Sequence, residues 1–157
     1  YNKPKYERIR FSYKKYPFHQ KQVAYLVNKK SEGLSVCPED IAIALTDLND
    51  DRNPEVVVIS WASGISGMGG CYTGIYSQTK QRLRLLWDHH LTDGNLAKMF
   101  HKTNGYHDLL SFVKGNSFSQ GKNLKHTLVW MGQEGYDYIK SESMTKQERE
   151  MFEDEEL

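Results

Sequence analysis

Residues 47–55 constrain the fold of this chain more than any other stretch. Oxygen-bearing side chains stand at every second position there, at Asp47, Asn49, Asp51, Asn53 and Glu55. Alternate oxygen ligands in a tight turn are the arrangement that surrounds a hard cation such as Ca²⁺. Runs with strong β propensity flank the turn, residues 40–46 before it and residues 56–61 after it. The sequence therefore predicts two strands whose relative placement is fixed by the acidic turn.

The acidic turn has two interpretations. In the first, it binds Ca²⁺ through the side chains of Asp47, Asn49, Asp51 and Glu55 and the carbonyl of Asn53. In the second, the same side chains accept hydrogen bonds from the amides of the turn itself. The sixth position of such a loop needs a positive φ, which glycine adopts most easily. Because Arg52 occupies that position, we expect weak binding of Ca²⁺ or none, and no other cofactor.

Residues 43–58 resemble the "DLNgDGxpE" motif of FG-GAP/VCBS-like proteins, which are common among exported bacterial proteins. Three later segments, residues 69–71, 104–110 and 129–136, are similar to the "gGC", "nGyxDl" and "w-G-x-x-Y" segments of a loose group of small exported bacterial proteins. The likeness covers roughly residues 37–140. It implies a periplasmic or secreted location and a β-rich fold, but no activity, because most of the group is uncharacterised.

The two cysteines, Cys37 and Cys71, are too few for a disulfide scaffold. An even pair in a chain that resembles exported proteins nevertheless favours one intramolecular disulfide. Each cysteine lies near the end of a predicted strand, and adjacent strands are about 5 Å apart, within the Cα separation that a disulfide tolerates. The alternative is two separate buried thiols in a cytoplasmic protein.

The charge balance indicates neither a nucleic-acid nor a membrane partner. Twenty-one basic and twenty acidic residues give a formal charge of +1, and no apolar run approaches the roughly 20 residues that a membrane helix needs. Residues 1–17 do interleave basic and aromatic side chains, as in proteins that grip single strands of nucleic acid. However, residues 6–13 also alternate as an edge strand does, and we favour that interpretation.

The hydrophobic pattern predicts an α+β fold, mainly an antiparallel β-sheet with one N-terminal helix packed on it, in a single domain. Residues 18–30 have the helical period, and tight-turn signals such as Asn104 and Gly105 separate short strands. We divide the 157 residues into an N-terminal arm and helix (1–36), a β-rich core (37–140) and an acidic tail (141–157). A single copy of the acidic motif excludes a propeller of several blades.

A glycine-rich loop precedes the predicted strand at residues 71–77. It lacks the last glycine of a nucleophile elbow, and no helix follows it, as a phosphate-binding loop requires. Its glycines leave the backbone donors and acceptors uncovered, and Ile65 and Met68 offer apolar side chains, which suits contact with another protein. Alternatively, Ile65 and Met68 pack into the core of this protein. The predicted partner-binding loop comprises Ser63, Gly64, Ile65, Ser66, Gly67, Met68, Gly69 and Gly70.

The sequence contains no complete catalytic constellation. His89, His90 and Asp93 suggest a metal site only superficially, since adjacent histidines in a strand point to opposite faces, and we expect a polar loop at residues 88–94.

We therefore predict a non-enzymatic exported protein that binds another protein, as an inhibitor or as an immunity protein against a secreted toxin. Two alternatives stay open. One is a carbohydrate- or surface-binding module that uses tyrosines and tryptophans. The other is a cell-wall hydrolase that uses some combination of Asp93, His101, His107 and Asp108.

Overall fold

Nine strands and two helices make up the chain in the computed structural model, which describes residues 5–30, 33, 35–62, 65, 71–80, 82–91, 94–113 and 123–153. Short 3₁₀ turns lie at Pro38–Asp40 and Gly132–Glu134. In chain order the elements are β1 (Tyr6–Arg8), α1 (Pro17–Lys30), β2 (Ile41–Thr46), β3 (Glu55–Ser60), β4 (Cys71–Thr79), β5 (Arg82–Leu91), β6 (Asn95–Thr103), β7 (Tyr106–Val113), β8 (Leu124–Trp130), β9 (Tyr136–Ser143) and α2 (Lys146–Glu153).

The strands form two antiparallel sheets. The five-stranded sheet has the order β1-β6-β7-β8-β9, and the four-stranded sheet has the order β2-β3-β4-β5. Apolar side chains of both sheets form one buried cluster, to which Ile75 and Leu109 belong, so the sheets face each other across a common core. A second cluster joins α1 to the other face of the four-stranded sheet. The predicted class, mainly antiparallel β with one N-terminal helix in a single domain, is confirmed.

Residues 56–59 are continuously apolar because both faces of strand β3 are covered. Val56 and Val58 pack beneath α1, whereas Val57 and Ile59 face the five-stranded sheet. All six residues of the strand are buried. A central strand that is covered on both faces needs apolar side chains at every position, and alternation is lost for that reason.

The N-terminal segment contacts both sheets. Strand β1 pairs with β6 at the edge of the five-stranded sheet, as the alternation of residues 6–13 indicates, although the strand is shorter than that stretch. Farther along, Ser12 forms a β-bridge with Ile43 of the four-stranded sheet. At the other end of the chain, Glu148 of α2 accepts hydrogen bonds from Tyr6 and Lys125. The boundary drawn at residue 140 lies within β9.

The predicted disulfide is wrong in this structure, because Cys37 and Cys71 are not joined. Strand β3 separates them: Cys37 precedes β2, whereas Cys71 begins β4. Two strand spacings amount to about 9.5 Å, beyond the Cα separation of about 7 Å that a disulfide spans. Cys37 is exposed, and the side chain of Cys71 is fully buried between the two sheets.

Candidate binding cleft and acidic turn

The acidic turn brings three carboxylates together. Asp47, Asp51 and Glu55 each offer an oxygen atom, and these atoms lie within 4.8 Å of one another. Arg52 adopts the left-handed backbone that the sixth loop position needs, with φ of 67°. Its amide donates to Asp47 Oδ2 at 2.8 Å. The turn therefore forms without glycine, at a cost of about 1–2 kcal/mol for the left-handed residue.

The same side chains also cap the amides of the turn. Asp51 Oδ1 accepts from the amide of Asn53 at 2.9 Å, and Asn49 Oδ1 accepts from the amide of Asp51 at 3.3 Å. The side chain of Asn53 donates to the carbonyl of Gln78 on β4 at 2.7 Å, which ties the turn to its own sheet. These contacts agree with the second interpretation of the turn, and they leave the carboxylate cluster intact.

Glu55 is the buried member of the cluster, with 3% of its surface exposed. Its pKa is raised to about 7, mainly by burial and to a smaller extent by the charges of Asp51 and Asp47, while hydrogen bonds from the amides of Leu48 and Asn49 oppose the rise. Near neutral pH a substantial fraction of Glu55 is therefore protonated. A cation at this cluster would have to displace that proton, which weakens binding.

His107 fixes the acidic turn to the five-stranded sheet. Its Nδ1 lies 2.7 Å from the carbonyl oxygen of Met99, and its Nε2 lies 2.8 Å from Asp50 Oδ1. Lys102 approaches the other oxygen of Asp50 at 2.7 Å. Hydrogen bonds from Lys102 and His107 lower the pKa of Asp50 to about 2. Since both ring nitrogens are engaged with protein acceptors, His107 positions the turn and offers no open nitrogen to a substrate.

Two of the residues considered for hydrolysis do meet. His101 Nδ1 lies 2.7 Å from Asp108 Oδ2, with the imidazole 72% exposed and the carboxylate buried. A buried carboxylate that orients an exposed histidine is part of what a general base requires. Asp108 Oδ1 has no hydrogen-bond partner within the described part of the chain. Neither residue lines the cavities described below, and Asp93 lies outside the described residues.

The glycine-rich loop is represented by Ile65 alone, because Ser63, Gly64, Ser66, Gly67, Met68, Gly69 and Gly70 lie outside the described residues. Ile65 is 7% exposed and packs in the cluster between α1 and the four-stranded sheet. Its carbonyl oxygen lies 2.5 Å from His90 Nε2 of β5. Ile65 is thus a core residue and does not project toward solvent as an apolar anchor.

A cleft of about 600 Å³ opens between α1 and β5, and we call it the α1–β5 cleft. Its volume lies within the range of about 300–1,000 Å³ that is typical of ligand pockets. Helix α1 contributes Leu26 and Val27, and β5 contributes Leu83 and Leu85. Ile65, the one described residue of the glycine-rich loop, also lines the cleft.

Three polar side chains form one end of the cleft. Tyr72 donates its hydroxyl proton to Asp88 Oδ2 at 3.1 Å, and the hydroxyl oxygen atoms of Tyr72 and Tyr76 are 2.9 Å apart. Because the single proton of Tyr72 goes to the carboxylate, Tyr76 donates to Tyr72. Burial raises the pKa of Tyr76 to about 12 and that of Tyr72 further. Both phenols therefore stay protonated, and Asp88 also meets Lys30 Nζ at 3.3 Å.

A β-bulge directs Asp88 into the cleft. Tyr76 pairs with Leu85 and Ile75 pairs with Trp87, so that Leu86 is the extra residue of β5. Bulges of this kind re-aim side chains and are frequent next to functional sites. Because alternation restarts after the bulge, Asp88 joins Leu83 and Leu85 on the cleft face, while Trp87 contacts the five-stranded sheet through Tyr136.

The expectation of a polar loop at residues 88–94 is wrong for residues 88–91, which continue β5. The signal in the sequence is the break in alternation at Leu86, where three apolar residues, Leu85 to Trp87, are consecutive. His89 and His90 do point to opposite faces, as expected for neighbours in a strand. His89 packs on Trp87 and Tyr138, whereas His90 pairs with Tyr72 on the face beneath α1.

These features define a small two-sheet antiparallel β protein with a helix on one outer face and a cleft beneath that helix. Comparison with known proteins finds no family model, no curated protein and no solved structure that matches this chain. None of the helices within the described residues is long and apolar enough to span a bilayer.

Proposed function

We propose that this is a non-enzymatic exported protein that binds another protein, as an inhibitor or as an immunity protein against a secreted toxin. The observation that carries the binding part is the open α1–β5 cleft. Apolar side chains of α1 and β5 line it together with the Tyr76–Tyr72–Asp88 cluster and with basic side chains such as Lys30. The export part, to the periplasm or beyond, rests on the sequence resemblance of residues 37–140 to exported bacterial proteins. The acidic turn has a structural role in this proposal.

The cleft suits one apolar side chain of a partner. Binding energy in protein interfaces concentrates in a few anchors that fill desolvated pockets. Leu85 is 36% exposed at the cleft, and Leu26 lines it from the opposite side, so that an inserted side chain meets apolar atoms from both elements. The Tyr72–Asp88 end offers a carboxylate that fixes the orientation of a donor on the partner.

The surface of α1 favours a macromolecular partner over a small molecule. Phe18 is 52% exposed and Tyr25 is 63% exposed. They lie seven residues apart, which places both on one stripe of the helix. Aromatic residues are enriched in protein interfaces, and an exposed aromatic stripe on the helix that lines the cleft extends the contact area beyond one pocket.

A pair of matched variants tests the proposal. The wild-type protein is immobilised and exposed to an extract of its native organism, and the captured partner is then purified and titrated by calorimetry. We expect Leu85→Asp to weaken partner binding about 100-fold, because a charge in a desolvated anchor site costs several kcal/mol. Met131→Asp is the control, since Met131 is 46% exposed and lies in the β8–β9 connection, away from the lining of the cleft.

Two results would contradict the proposal. Equal affinities of the two variants would remove the cleft as the contact site. Failure of the wild-type protein to bind any protein at a fixed stoichiometry would remove the protein-binding function itself. Circular dichroism of both variants shows whether the fold is retained.

A further inference from the structure

A second concavity lies on the inner face of the five-stranded sheet, the face turned toward the four-stranded sheet. We call it the β7–β9 pocket; its volume is about 320 Å³. Ser111 of β7 pairs with His126 of β8, and His126 pairs with Ser141 of β9. Directly paired residues point to the same face of a sheet. The three polar side chains therefore form one row, two residues beyond Leu109 and Leu128 of the apolar core.

The buried hydroxyl of Ser111 lacks a partner in this pocket. Ser111 is 1% exposed, and no described residue forms a hydrogen bond with its Oγ. A buried hydroxyl without a partner is destabilising, and native proteins rarely keep one without a reason. The pocket holds far more than one water molecule, whose share of liquid volume is about 30 Å³. Ser111 lines the pocket, and rotation about its χ1 would turn the hydroxyl from its buried position toward this space, where a hydroxyl group of a ligand would be its partner.

An aromatic ring forms another wall of the pocket and is held in place. Tyr138 is 41% exposed, and its ring packs against the rings of His89 and His126, with centroid distances of 5.8 and 5.5 Å. Two such contacts fix the orientation of the ring before any ligand arrives. Burial lowers the pKa of His126, which keeps its imidazole neutral near pH 7 and able both to donate and to accept.

We propose that the β7–β9 pocket binds one neutral pyranose sugar, free or at the end of an oligosaccharide. The apolar face of the sugar ring packs on Tyr138, and its hydroxyl groups bond to Ser111, His126 and Ser141. The ligand is uncharged, because Lys140 is the one formally charged residue in the described lining, and its ammonium already meets Glu142 Oε1 at 3.1 Å. This site is separate from the α1–β5 cleft, which lies on the opposite face of the four-stranded sheet.

The experiment is an ¹⁵N NMR titration of the whole chain with methyl β-glucoside, methyl β-galactoside and N-acetylglucosamine. We expect at least one sugar to shift the amides of Ser111, His126, Tyr138 and Ser141 with a millimolar dissociation constant. Ser111→Ala should weaken binding about fivefold, the effect of one hydrogen bond. It should also unfold at the same temperature as the wild type or a higher one, because the hydroxyl has no partner to lose.

Titration with cellobiose distinguishes a free sugar from the end of an oligosaccharide. Tighter binding of cellobiose with additional shifts indicates the end of an oligosaccharide, and equal binding indicates a single sugar unit.

Ser143→Ala is the matched control, since Ser143 lies two residues beyond Ser141 and outside the described pocket lining. It should bind as the wild type does. The proposal is overturned if no sugar shifts these amides at about 50 mM, if the shifts fall on the α1–β5 cleft instead, or if Ser111→Ala binds as tightly as the wild type. Because partner capture and sugar titration use different sites and probes, failure of this inference is distinguishable from failure of the proposed function.

Discussion

At the scale of single residues, Glu55 places a titrating group inside the fold. Its pKa is raised to about 7 in the folded protein, so the folded state binds the proton more tightly than the unfolded state does. The stabilisation that Glu55 contributes is fully present below pH 4.5, the ordinary pKa of a glutamate, and it is lost as the pH rises through about 7. This dependence of stability on pH has the opposite sign to that of a carboxylate in an ion pair, whose stabilising effect is lost as the pH falls.

We expect Glu55→Gln to remove this pH dependence. Between about pH 4.5 and 8 the free energy of unfolding of the wild type should fall by at most about 3 kcal/mol more than that of the variant, since one pKa unit corresponds to about 1.4 kcal/mol. Urea unfolding at a series of pH values measures this. Glu134→Gln is the control at an exposed site. Parallel pH profiles for the wild type and Glu55→Gln would contradict the assignment.

Two glycines in the β8–β9 connection differ in what a side chain at their position would meet. Gly132 and Gly135 both have positive φ, 74° and 79°. A Cβ at Gly132 would meet nothing within 4 Å, whereas a Cβ at Gly135 would overlap the ring of Trp87.

We expect Gly135→Ala to destabilise the protein by about 3 kcal/mol and Gly132→Ala by only about 1 kcal/mol. The smaller loss comes from the positive φ at Gly132. The larger one has two sources, a combination of φ and ψ at Gly135 (79° and −148°) that is essentially restricted to glycine, and displacement of a packed tryptophan. Thermal unfolding of both variants measures the difference. Equal losses would contradict both the overlap with Trp87 and the additional backbone strain at Gly135.

At the scale of elements, the acidic turn connects β2 to β3 and is itself held by β4 and by His107. These contacts support the shape of the turn from β4 and from the five-stranded sheet. The amides of Asn49, Arg52 and Asn53 are already bonded to side-chain oxygen atoms, which a Ca²⁺ ion would have to share.

We expect the turn to bind Ca²⁺ with a dissociation constant above roughly 10⁻⁵ M, weaker than sensor loops. Calorimetry of the wild type at pH 8, where Glu55 is ionised, gives the constant, and Asp51→Asn is the variant that should abolish any residual heat. Tighter binding by the wild type would show that neither Arg52 nor the internal hydrogen bonds hinder the cation.

The hydrogen-bonded chain Tyr76–Tyr72–Asp88 forms because the bulge in β5 turns Asp88 to the same face of the sheet as the two tyrosines. Tyr72→Phe removes the central hydroxyl and leaves both neighbours without that partner. We expect a loss of about 1–2 kcal/mol in the free energy of unfolding, the cost of an unmet buried polar group. Tyr25→Phe, at a residue that is 63% exposed, should change it by less than about 0.5 kcal/mol. Urea unfolding compares them, and equal effects would mean that the chain contributes nothing to stability.

At the scale of the whole molecule, the two sheets are joined along one edge by aromatic contacts. Trp87 and His89 of β5 pack against Tyr136 and Tyr138 of β9, with centroid distances of 5.7 and 5.8 Å. These contacts close one edge of the interior between the sheets. Cys71 is buried in that interior, whereas Cys37 is exposed on the surface.

The two cysteines should therefore differ in reactivity. We expect thiol titration without reductant to find one rapidly reacting thiol in the folded protein, Cys37, and two after unfolding. Cys37→Ser should leave none that reacts rapidly while the protein is folded. Absence of reactive thiols in the unfolded, unreduced protein would mean that the two cysteines are bridged after all.

The sequence by itself determined the local elements. The alternation around the acidic turn, the helical period of residues 18–30 and the turn signal at Asn104 and Gly105 each describe neighbours in the chain. They predict strands, a helix and a hairpin without reference to any distant residue. The oxygen atoms of Asp47, Asp51 and Glu55 also converge as the spacing indicates, since one turn holds all three.

Only the tertiary structure decided which strands are neighbours and where their side chains meet. The separation of Cys37 from Cys71 depends on β3 lying between their strands, and the contact between His107 and Asp50 joins residues 57 positions apart. One extra residue in β5 turns Asp88 toward α1 and creates the polar end of the cleft. Periodicity assigns a side chain to one of two faces, but pairing and register between distant strands fix what that face contacts.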